Sequence, residues 1–107
     1  MSELLSGDYV TYPINENTQN ERLTIGKLSY TGVGFWIDGP EISTAVSDPM
    51  KCTVLAHKGK KADKLFKKYS DRFDKVDIDE IGFDLYQEFG DLTYNMYVDK
   101  FKALDQQ

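Results

Sequence analysis

The chain has 107 residues, 40% of them hydrophobic and 13% aromatic, and a formal net charge of −5. That length fits one domain, 1–107, and the composition excludes a disordered chain. A lone cysteine, Cys52, excludes a scaffold built on internal disulfides, and a sequence pI of about 4.7 argues against an overall basic nucleic-acid-binding domain.

The charge falls in three blocks. Residues 1–50 carry seven acids and two bases, residues 51–75 nine bases and three acids, and residues 76–107 eight acids and two bases. Blocks of this kind shape a long-range field that steers partners. The start, Met1 to Asp8, lacks the basic and apolar segments of a secretory leader, and no stretch approaches the roughly 20 apolar residues of a membrane helix. A cytoplasmic protein with no membrane association is expected.

In chain order, Tyr9 to Ile14 reads as a β-strand, with Pro13 near its end where an edge tolerates it. Residues 15–20 are polar turn formers. Arg22 to Thr31 reads as a second strand whose apolar phase slips from Leu23 and Ile25 to Leu28 and Tyr30. Gly26 sits at the slip, and a bulge there would keep all four on one face. Thr31-Gly32 turns the chain into a third strand, Val33 to Asp38, ended by Gly39-Pro40. Residues 41–49 read as a loop. Met50 to His57 alternates again, with Met50, Cys52, Val54 and Ala56 on one side.

The period then changes. Ala62, Leu65, Phe66, Tyr69 and Phe73 form one helical stripe over residues 58–73. Asp77 and Glu80 have capping-box spacing, and Ile78, Ile81, Leu85 and Phe89 continue a helix that Gly90 would close. Residues 91–104 fit a strand through Leu92, Tyr94, Met96 and Val98, or a helix through Tyr94, Tyr97, Val98, Phe101 and Leu104. The longer helical stripe decides for helix, with Asp91 as its cap. The fold class is therefore α+β: an antiparallel sheet of about four strands in residues 8–57, then two or three C-terminal helices on one face. An SH3-like small barrel with a helical extension is the variant architecture.

No catalytic, metal or cofactor motif stands out, so no enzyme is expected. Asp77, Glu80, Asp84, Glu88 and Asp91 track along one side if their segment is helical. Like charges at that spacing repel, so the face suits a cationic partner, against the plainer account of acids placed near helix N-termini. The basic face carries Lys60, Lys61, Lys64, Lys67, Lys68 and Arg72 and suits phosphates, against the plainer account that it balances the acidic blocks within the fold. Trp36 points away from Phe35 and Ile37; it reads as core, or as an exposed protein-binding anchor if its face is solvent.

Other chemistry fails on inspection. The Asp74 and Asp77 registers each miss ligand positions of an EF-hand loop. Cys52 and His57 are too few for zinc and lack a third group for nucleophilic catalysis. Gly32-Val33-Gly34 lacks the lysine and helix of a phosphate loop. The expectation is a small acidic non-enzymatic protein-binding module facing a basic protein, of the inhibitor, immunity or phage-encoded anti-host kind. The alternative is a nucleic-acid-binding accessory protein using the helix over 58–73.

Overall fold

The computed structural model describes residues 4–104. Its strands are β1 (Tyr9–Ile14), β2 (Arg22–Tyr30), β3 (Phe35–Asp38), β4 (Ser43–Ala45) and β5 (Thr53–Ala56), and its α-helices are α1 (Lys60–Asp74), α2 (Ile78–Ile81) and α3 (Phe83–Leu104). All strand pairs are antiparallel, in the order β4-β3-β2-β1-β5. The α+β class holds. The sheet is open, since β4 and β5 pair on one side only, and the SH3-like closure does not form.

The fifth strand is β4, inside the segment read as a loop. It is three residues long and exists by tertiary pairing, with Ile37 opposite Thr44, rather than by propensity.

The bulge expected at Gly26 is absent. β1 and β2 stay in unbroken register from Tyr9–Lys27 to Ile14–Arg22. Ile25 and Leu28 therefore face opposite sides. Ile25 packs with Tyr9, Tyr69, Phe73 and Phe101 under the helices, whereas Leu28 packs with Val10, Tyr12, Ile37 and Val46 on the other face. The phase slip thus marks a strand buried on both faces. Gly26 is required for a different reason: a Cβ there would overlap the Ile37 side chain and meet the Asp38 carbonyl oxygen at 3.2 Å.

The irregularity lies between β1 and β5 instead. Val10 pairs with Val54 and Tyr9 with Ala56, which leaves Leu55 as the extra residue. The shift turns both Leu55 and Ala56 toward the helices, while Cys52 and Val54 stay with the second cluster. The expected four-residue face is therefore split. Met50 leaves it altogether, sitting exposed in a 3-10 turn capped by Asp48.

α1 buries the predicted stripe through Ala62, Tyr69 and Phe73, with Leu65 and Phe66 packed at its margin. Phe73 meets Tyr86 and Phe89 at ring-centroid distances of 6.0 and 5.3 Å, near the start of α3. Leu65 lies beside Lys100 and Leu104, near its end. The two helices are therefore antiparallel. Tyr9 joins them to the sheet: its ring contacts Phe66 at 5.0 Å and Phe101 at 5.5 Å, and its hydroxyl donates to Asp63. Burial and that carboxylate push the Tyr9 phenol up. Tyr69, also pushed up by burial, places its hydroxyl 3.5 Å from the Ile25 N–H, which points out of β2 before its pairing with β3 begins at Lys27.

The second break in the helical region is also not where local signals put it. α2 ends at Gly82, whose φ of +90° favours glycine. α3 then runs unbroken through Gly90 to Leu104, so residues 91–104 are helical and Asp91 caps nothing. Gly90 lies in the helix interior because the Arg22 guanidinium and the Glu41 carboxylate occupy the space a Cβ would fill. Asp77 does cap α2, accepting the Asp79 N–H at 2.9 Å. Asp77→Ala is expected to lower stability by about 1 kcal/mol or less and to speed amide exchange at Asp79 to Ile81 first, which hydrogen exchange resolves residue by residue. Among the described residues, no helix is long and apolar enough to cross a membrane.

Candidate interaction surface

α3 has three kinds of face. Tyr97 and Phe101 are buried, and Tyr86 and Phe89 pack at the edge of the same core. At about 100° per residue, Asp84, Glu88 and Asp91 fall together on the far side. Beside them run Leu85, Leu92 and Met96, which are 55%, 59% and 48% exposed. Three large apolar side chains so open, spaced seven and four apart, form a stripe with no cover among the described residues. Single exposed apolar residues are ordinary; a stripe rimmed by charge on one helix face is an interface feature.

The five acids expected on one side are divided. Asp77 is the cap of α2 and Glu80 lies on that single turn, which Gly82 separates from α3. Asp84, Glu88 and Asp91 share the α3 face. Asp91 also lies 3.6 Å from the Arg22 guanidinium, so it is partly neutralised. Trp36, read as core, is 37% exposed, and its indole N–H donates to Asp38 at 3.1 Å. α3 packs on β2 and β5, and Trp36 stands on β3, paired between Ser29 and Ala45. It is thus a separate aromatic on another element and no part of the acidic face.

Lys60, Lys61, Lys64, Lys67, Lys68 and Arg72 are all exposed along α1. Lys61, Lys64 and Lys68 line a shallow groove of about 370 Å³ with Leu65, Leu104 and Lys100, the last a contribution from α3 that local reading of the basic block misses. Arg72 lies over the Phe89 ring at 5.8 Å. Among the described residues, none of Lys60, Lys64, Lys67, Lys68 and Arg72 forms an ion pair with Asp77, Glu80, Asp84 or Glu88.

The remaining chemistry-bearing side chains have structural roles. Cys52 packs against the second cluster, and burial, with the nearby Asp48 carboxylate, pushes its thiol up to about 11, which suppresses the reactive thiolate. His57 lies 3.1 Å from the buried Asp8 carboxylate, whose other oxygen accepts the Leu5 N–H at 3.1 Å. Among the described residues no cluster of three or more His, Cys, Asp or Glu is placed to hold a metal.

Two features escaped local sequence reading. One is the Leu85–Leu92–Met96 stripe, visible in retrospect as a second apolar spacing offset from the core stripe. The other is a buried pair, Arg22 with Glu41, whose side chains are only 8% and 3% exposed; the glycine inside α3 is its one local signal.

Comparison with protein-family models, with curated proteins and with solved structures found no match.

Proposed function

We propose that this protein is a small non-enzymatic binding module of the cytoplasm that docks a basic amphipathic segment of another protein on the outer face of α3. The observation that carries this reading is the pairing of Leu85, Leu92 and Met96 with Asp84, Glu88 and Asp91 over three turns of one helix. Charge complementarity names the occupant: a segment whose apolar residues are flanked by Lys or Arg. The apolar stripe supplies affinity by burial, and the carboxylates supply register and a salt-sensitive on-rate. Occlusion of a basic target in this way suits an inhibitor, an immunity protein or a phage anti-host factor.

The test uses a synthetic amphipathic helix with a leucine stripe flanked by lysines. Binding measured by calorimetry is expected to weaken at least about tenfold for Asp84→Lys with Glu88→Lys, and by a similar factor for Leu92→Ser. The same peptide with glutamates in place of lysines should bind no better than the charge-reversed variant. Binding that survives both sets of substitutions sinks the proposal.

A second reading rests on the lysine groove of α1, which Lys100 of α3 extends. It makes the protein a nucleic-acid-binding accessory factor acting through Lys60, Lys61, Lys64, Lys67, Lys68 and Arg72. A gel shift at moderate salt, lost on Lys64→Glu with Lys67→Glu but kept on Asp84→Lys with Glu88→Lys, would select it.

A further inference from the structure

Between the start of β2 and the α2–α3 junction lies a cleft of about 250 Å³. Ile42, Ile78, Phe83 and Tyr86 form its walls, and Arg22 and Glu41 line it from within. It is smaller than the roughly 300–1,000 Å³ of sites for drug-sized ligands, which limits an occupant to a small group.

The polar lining is unusual for its depth. Arg22 and Glu41 are both more than nine-tenths buried. The Arg22 Nη1 donates to the Gln87 carbonyl oxygen at 3.1 Å and lies 3.6 Å from Asp91, while Nη2 contacts Glu41. Apart from that charge contact, neither carboxylate oxygen of Glu41 receives a hydrogen bond of normal geometry from the described residues, and the Arg22 Nε has no acceptor. A buried carboxylate short of donors is unfavourable, since it has lost water without full replacement. The cluster of Arg22, Glu41 and Asp91 holds two carboxylates and one cation, and Asp77 and Glu80 flank the α2 wall. Its field therefore favours a positive occupant over an anion.

We propose that this cleft binds a small organic cation with N–H donors, a guanidinium or primary ammonium on an apolar stem. The N–H groups donate to Glu41, and the stem packs on Ile42, Ile78, Phe83 and Tyr86. The aromatic walls add cation–π attraction. The same chemistry is available from a free metabolite or from an arginine or lysine side chain. The cleft shares Asp91 with the outer face of α3, but Leu85, Leu92 and Met96 do not line it.

The probe is butylguanidinium chloride, titrated into the whole protein and followed by amide NMR, with sodium chloride and tetramethylammonium chloride as matched controls. Saturable shifts at Ile42, Phe83 and Tyr86 are expected, with a Kd in the millimolar range suited to so few atoms. Tetramethylammonium, which has no N–H, should act as sodium does. Glu41→Gln should abolish the saturable shifts. Because that variant alters a buried pair, Phe83→Ala serves as the second; Phe83 is 49% exposed, so the fold tolerates its loss, and the Kd should weaken at least about fivefold. Leu92→Ser, which removes part of the docking stripe and lies outside the cleft lining, should leave this Kd within about threefold, which separates failure here from failure of the α3 docking face. Tighter binding of a doubly blocked arginine than of butylguanidinium assigns the source to a partner's side chain, and weaker binding assigns it to a free cation. Shifts that merely follow ionic strength, or a Kd unchanged by Phe83→Ala, would overturn the proposal.

Discussion

Arg22→Ala is expected to lower the free energy of unfolding by about 3–5 kcal/mol, read from urea denaturation, although no hydrophobic contact is the target. The cause is the residue left behind. Glu41 is 3% exposed, and Arg22 is its only cationic contact among the described residues. Removing the guanidinium strands that carboxylate, and it also leaves the Gln87 carbonyl oxygen without its 3.1 Å donor. The double variant Arg22→Met with Glu41→Leu is expected to recover most of the loss, because a buried ion pair replaced by apolar residues of similar volume is often neutral or stabilising. A loss in the single variant below about 1 kcal/mol would show that the pair does not hold β2 to the β3–β4 loop and α3.

Phe101→Ala is expected to cost about 3–5 kcal/mol by the same measurement. Phe101 is fully buried on α3 and stacks at 5.5 Å on Tyr9, the residue that also reaches Asp63 of α1. The cavity would open where the sheet and both long helices meet. The same helix supplies the control. Leu92→Ser, at 59% exposure, should change stability by no more than about 0.5 kcal/mol. One helix would thus carry a face that only folding needs and a face that folding does not need. If Leu92→Ser proved as costly as Phe101→Ala, the outer stripe would be core and the docking reading would lose its support.

The sequence made some of this legible and hid the rest for identifiable reasons. The α1 stripe was readable because one side of that helix is solvated, so Tyr69 and Phe73 stand out against lysines. β2 resists local reading because alternation ordinarily signals one buried face. With Ile25 under the helices and Leu28 in the second cluster, both phases are apolar and Gly26 looks like a bulge. Gly90 resembles a helix stop by every local rule; only Arg22 and Glu41, distant in sequence, explain it. The carboxylates of the candidate face were countable, but Gly82 divides them, and no local pattern distinguishes it from Gly90. Leu85, Leu92 and Met96 could not be separated from core residues until the packing side of α3 was known. The cleft between β2 and the α2–α3 junction is assembled from five separate segments, so nothing short of tertiary structure displays it.

An open sheet ends in two rims of unsatisfied backbone, the usual template on which a foreign strand adds or a neighbour aggregates. Here both rims are brief: β4 spans three residues and β5 four. A recruited strand would gain few ladder bonds before the template ran out. Main-chain zippering is therefore a poor route onto this molecule, in fibre or in complex.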